Sequence, residues 1–344
     1  LSLSLSLSLS LSLSILVSLS LNSKSPMGTL VGHVAPGMGF FLLGLWHLFN
    51  HTKLYVKNSN SYISSPWFPS SKVRHVELFM IMMGSSMSIA MEFFIGPKSH
   101  QPLDSDGTIP SNHLQNFEHS SISMTFLVYA TLALVFDRVK PKAEYGLTQV
   151  LGALAFGQQL FMFHLHSADH MGVEGQFHLL LQIVIFVSFA TTLLGIPYPR
   201  SFLVGFVRSA SILFQGVWLV VMGLMLWTPS LIPKGCFMNH EEGHDVVRCS
   251  DDKSLHRARA LVNIQFSWYL IFVTILVVWF YLVMEKLYGE KVGYSSLIKE
   301  GKGFLDEEEE EEDEKLEEME SQKKTAKSFV QMGGRHLPPI DIER

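Results

Sequence analysis

Phe163-His-Leu-His-Ser-Ala-Asp-His-Met-Gly-Val-Glu-Gly-Gln-Phe-His178 places four histidines, one aspartate and one glutamate in sixteen residues. The flanks are the opposite in character. Residues 147–167 lead in and 177–196 lead out, each almost uncharged and close to the roughly 20 apolar residues that a bilayer crossing needs. Ionisable groups at membrane depth are expensive and usually face a protein interior or a water-filled cavity. This stretch therefore decides both questions: the chain is a membrane protein, and its chemistry is sought here.

Working outward, five further windows reach spanning length: 30–49, 76–95, 115–136, 202–228 and 261–284. The expectation is an all-α, seven-span transmembrane helical bundle over residues 27–288. Composition agrees, since only 17% of the 344 residues are charged and soluble domains average about a quarter. The net charge of −5 is set by the run Asp306–Glu314, without which the chain is mildly basic. No basic stripe with interleaved aromatics appears, so the reading includes no nucleic acid. The first expected partner is the lipid bilayer itself.

Lys53, Lys57, Lys72 and Arg74 follow span 1, and Arg138, Lys140 and Lys142 follow span 3. Loop 4–5 has no lysine or arginine, and loop 2–3 has only Lys98. Basic residues collect on the cytosolic side, so the N-terminus is expected outside and the tail inside. Cys236 and Cys249, the only cysteines, both fall in loop 6–7 on the expected outer side. An oxidising compartment favours a disulfide between them. Asn50-His51-Thr52 is a glycosylation sequon, expected to go unused on the cytosolic side.

Both ends read as low complexity. Residues 1–26 begin with seven Leu-Ser pairs and are expected to be a disordered or untranslated leader ahead of Met27. Residues 289–344 carry the acidic block and are expected to be a disordered cytosolic tail, able to engage a cytosolic protein.

With that topology, His33, Glu92, Glu118, His119, His164, His166, Asp169, His170, Glu174 and His178 all fall in the outer half. Imidazole with carboxylate suits zinc or another transition metal. The metal-ligating candidates are His33, His119, His164, His166, His170 and His178. His164 and His166 lie two apart, so a regular helix points them about 200° apart and they cannot share one ion. Glu174 and Asp169 are the candidate catalytic bases, and Glu92 and Glu118 the supporting carboxylates. The plainer alternative is that helix-end histidines are simply solvated at the headgroups.

Met27-Gly-Thr-Leu-Val-Gly-His-Val-Ala-Pro-Gly37, Gly44-Leu-Trp-His47 and the histidine segment resemble the transmembrane protein 45 family, which carries the domain of unknown function 716. The likeness covers about residues 27–290. It implies a multi-pass membrane protein, plant members being linked to responses to virus infection, and it carries over no catalytic residues. The leader and the acidic tail depart from its pattern. Three functions compete on this evidence: a membrane metalloprotein such as a lipid hydrolase, an ion or proton-coupled transporter, and a non-catalytic scaffold linked to stress or defence. A haem pair is weaker, because only His47 lies well inside a span at the inner depth.

Overall fold

The structure is a computed structural model that describes residues 27–95, 102–110, 113–169, 172–241 and 244–289. The leader and the tail lie outside the described residues. Seven long helices occur among the described residues: α1 (Met27–Lys57), α2 (Val76–Ala90, extended by a π turn at Met91–Ile95), α3 (Leu114–Val139), α4 (Glu144–Asp169), α5 (Val173–Leu194), α6 (Phe202–Trp227) and α7 (Asp252–Tyr288). A short antiparallel hairpin, β1 (Cys236–Glu241) with β2 (His244–Cys249), separates α6 from α7.

Each apolar window falls on one of these helices, two of them overrunning its end by one or two residues, and six helices are long and apolar enough to cross a membrane. The remaining one, α4, has 26 residues, but Gln149, Gln158, Gln159, His164 and His166 dilute its hydropathy. Local chemistry sets the boundaries. The side chains of Ser201 and Asp251 accept the amides of Val204 and Ser254 at the starts of α6 and α7, giving an acceptor to first turns whose N–H groups have none within the helix. Lys140, at φ 55°, turns the chain out of α3 just before Pro141.

Two boundaries differ from the sequence expectation. The first span does not stop near residue 49 but runs to Lys57, so Lys53 and Lys57 are helical rather than in a loop. Pro36 does not end it. The sequon is consequently inside α1, with His51 and Thr52 fully buried and Asn50 Nδ2 donating to Trp46 O at 2.7 Å. The hairpin is the second difference, a pair of strands where only a loop was expected. It is closed by a disulfide between Cys236 and Cys249.

Helix α6 is the centre of the bundle: 72% of its apolar window is buried, against 11% for α7. Helices α1, α5 and α7 pack on it, and α2, α3, α4 and α5 follow one another as neighbours. The α1–α6 contact is backbone to backbone. A Cβ at Gly44 would collide with the Leu213 main chain, and one at Gly216 with the main chain of Phe41 and Gly37. Glycine is required there because it lets two helices approach closely in lipid. Ala35 and Gly39, the small pair suggested by spacing alone, face outward instead.

Phe177, Leu181, Trp218 and Met222 form the main core, which Val247 of the hairpin also joins. Trp268, Phe272, Ile275 and Trp279 on α7, like Met83 and Met87 on α2, are exposed, as lipid-facing side chains would be. Because neighbouring helices alternate in direction, the bundle has two ends, named here for His33 and for Arg208.

Candidate functional site

At the His33 end, α1, α5 and α6 bring buried rings together. His33 stacks on Trp227 with centroids 4.5 Å apart, and its ring lies 5.9 Å from that of His178. His178 also tilts against Phe163 at 5.5 Å. The π turn of α2 carries Glu92, whose carboxylate accepts from Asn116 Nδ2 at 2.7 Å and sits 3.3 Å from His119 Nδ1. Such π turns recur at functional sites. Glu174 is buried one turn before His178 and interacts electrostatically with His119 and with Arg248 of the hairpin.

Of the other sequence candidates, Glu118 interacts electrostatically with His119. His164 Nδ1 meets Gln182 Oε1 at 3.2 Å. Glu118 lies half-buried on α3. His166 and Asp169 fall in the last turn of α4, and His170 lies outside the described residues. No group of three or more His, Cys, Asp or Glu side chains placed to hold a metal occurs among the described residues.

The denser network is at the Arg208 end, and the sequence reading passed over most of it. Glu77, at the start of α2, is buried and accepts three hydrogens: from His47 Nε2 at 2.8 Å, Trp46 Nε1 at 2.9 Å and the Phe68 amide at 2.8 Å. Arg208, only 2% exposed, donates to Gln149 Oε1 at 3.0 Å, to Ser65 O at 2.5 Å and to His51 Nε2 at 3.1 Å. A guanidinium has only donors, so His51 must leave Nε2 bare and carry its proton on Nδ1. That proton then points at Tyr62 Oη, 2.8 Å away. Burial pushes the Tyr62 hydroxyl up to about 12, which keeps it neutral beside the imidazole.

Gly205 makes this possible. A Cβ there would run into Tyr62 Oη, Ser64 Oγ and His51 Nδ1. Tyr145 Oη and Gln149 Nε2 both donate to Ser64 O, tying the segment before Phe68 to α4. Two signals in the sequence point here: a lone arginine inside an otherwise apolar window, and a glutamate two residues after His75.

Outside the membrane-spanning part, Arg74 forms a two-pronged pair with Asp137 at 2.7 and 2.8 Å, joined by Lys140 at 2.6 Å and His75 at 2.8 Å. The hydrogen bonds to Asp137 hold the Arg74 and Lys140 cations above their ordinary values.

Between the two ends, Gln215 Nε2 of α6 donates to Gln159 Oε1 of α4 at 3.0 Å, both buried. Gln215 Oε1 has no hydrogen-bond partner among the described residues. Ser188 and Ser211 meet at 2.9 Å nearby in sequence on α5 and α6.

Apolar helices of spanning length around buried imidazoles and carboxylates define a multi-pass helical membrane protein. Residues 145–282 match a family of unknown function, DUF716, the family that the histidine segment resembles. Over 218 residues the chain is 25% identical to transmembrane epididymal protein 1A of Mus musculus, covering 59% of this chain and 68% of that protein. This is a multi-pass membrane protein whose residues 145–282 are similar to the DUF716 family.

Proposed function

We propose that the protein moves protons or small ions across the bilayer. One observation supports this above the alternatives: buried polar side chains recur at three depths along α6. Arg208 stands at one end beside His51, His47 and Glu77. Gln215 with Gln159 follows about 10 Å further along the helix, and Trp227 with His33 and His178 about 18 Å beyond that. Imidazole titrates near neutral pH and is the usual proton relay of membrane interiors. A lipid-facing bundle without transport has no need of polar groups at all three levels. The helices are continuous, so the reading is of side-chain relays within a fixed bundle rather than a carrier built on broken helices.

Reconstitution tests this. Liposomes with a trapped pH dye and an imposed potassium potential should show faster internal pH change with the protein than without it. Glu77→Gln and His178→Gln, which keep side-chain volume, should each slow that change about tenfold. Equal rates in protein-containing and empty liposomes would overturn the reading.

A second reading, a zinc or other transition-metal centre acting on a lipid-like substrate, draws on the 5.9 Å approach of the His33 and His178 rings. Glu174 would then be the buried base beside it, with the metal lowering the pKa of a bound water. Stoichiometric metal in detergent-purified protein, lost in a His33→Ala, His178→Ala variant, is its expected outcome.

A further inference from the structure

The last turns of α1 carry Phe49, Lys53 and Lys57, spaced four apart and so on one face of the helix. That face meets Tyr288, in the final turn of α7. Lys53 Nζ lies 5.2 Å from the Phe49 ring centroid and 5.4 Å from that of Tyr288. Lys57 Nζ lies 5.8 Å from the same Tyr288 ring. Two ammonium groups from one helix thus converge on a phenol ring from another, and Lys286 adds a further cation to that last turn of α7.

Among the described residues no carboxylate answers these two charges. The ion pairs there use His47, Arg74, His75, His119 and Lys140, and neither Lys53 nor Lys57. Glu285, one turn before Tyr288, interacts with the Tyr281 hydroxyl. Like charges four residues apart on a helix repel, and the face of an aromatic ring offsets that only in part. An anion touching both ammoniums would turn the repulsion into attraction.

The surroundings say where such an anion comes from. Leu54, Leu282 and Leu287, on the same turns of the two helices, are exposed, as side chains against acyl chains are. The patch stands at the end of the bundle where the lysines and arginines of the short loops collect, the pattern of a cytosolic face. The leaflet on that side carries the anionic lipids, and tyrosine favours the depth of their headgroups.

We infer that Lys53, Lys57 and Tyr288 bind the phosphate-monoester headgroup of an anionic membrane lipid. A phosphate monoester carries nearly two negative charges at neutral pH, one for each ammonium, and the Tyr288 hydroxyl adds a donor for a third contact. A phosphodiester headgroup such as that of phosphatidylglycerol brings a single charge. The inference is independent of the transport reading.

The test is native mass spectrometry of the full chain in detergent, titrated with short-chain phosphatidic acid or phosphatidylglycerol, with inorganic phosphate as competitor. Phosphatidic acid should bind the tighter of the two lipids, and inorganic phosphate should not displace it. Removing one basic residue beside an anionic headgroup weakens binding about fivefold, so the double variant Lys53→Gln, Lys57→Gln should lose about 25-fold. Both positions lie at the helix end, and neither makes an ion pair whose loss would unfold the chain. Tyr288→Leu keeps both charges and removes the ring and its hydroxyl; it should weaken phosphatidic acid and leave phosphatidylglycerol unchanged. Equal affinity for the two lipids, or an affinity untouched in the lysine variant or in Tyr288→Leu, overturns the inference and leaves only diffuse attraction to the leaflet. Displacement by inorganic phosphate overturns it too, since the site would then belong to the free ion.

Discussion

The two ends of the bundle hold similar residue types and use them in opposite ways. At the Arg208 end, polar atoms are wired to one another: Glu77 accepts three donors, and Arg208 donates to three acceptors. At the His33 end, imidazoles lean on aromatic faces, His33 on Trp227 and His178 on Phe163. The first arrangement fixes side chains in place. The second packs imidazoles against flat apolar rings. A rich run of histidines in sequence is thus no guide to where the tightest polar contacts form.

The largest expected effect falls on the wired end. Glu77→Ala removes the acceptor for three buried donors and should cost about 4 kcal/mol of stability, as breaking buried charge networks does. Denaturant unfolding in detergent measures it, and a loss near that of an ordinary surface substitution would erase the contrast between the ends. Next comes the covalent tie at the other end. Replacing Cys236 and Cys249 with serine opens a loop of 13-residue separation, for which chain-entropy arguments give about 3 kcal/mol. Hydrogen exchange should quicken in β1, β2 and the start of α5, and not around Arg208.

His178→Ala should be milder, about 2 kcal/mol, because it empties a ring-sized space without stranding a charge. A loss as large as that of Glu77→Ala would show that the His33 end is wired too. The smallest effect concerns pH. Hydrogen bonding from the Ser254 amide holds the Asp251 carboxyl below its ordinary 3.8. A depressed folded value means that its stabilisation is present above that ordinary value and lost as pH falls through the folded one. The unfolding midpoint should therefore drop on acidification below about pH 4, and that increment should be missing in Asp251→Asn.

Much of the fold was legible in the sequence because apolar runs in lipid report directly on helices: each of the seven windows falls on a helix, two of them overrunning its end by one or two residues. The paired cysteines of loop 6–7 were legible for a similar reason, being the only two. The hairpin between them was not, because Cys236-Phe-Met-Asn-His-Glu241 is short and polar, and its pairing depends on a partner strand. Nor was the Arg208 network. His51 and Arg208 are 157 positions apart, and no local spacing announces a contact at that range. Glu77 sits in the first turn of α2, where an acidic residue is unremarkable, yet its carboxylate turns inward to meet His47. The histidine stretch drew the eye through density, while the convergence at the far end needed tertiary packing to be seen.

The glycine seam between α1 and α6 has a mechanical consequence. His33, His47 and His51 ride on one rod; Arg208, Gln215 and Trp227 ride on the other; and the two rods touch spine to spine at Gly44 and Gly216. With the backbones in direct contact at those two points, the seam works as a shared ruler for both ends. A single methyl inserted midway, far from any ionisable group, would be felt at His33 and Arg208 alike.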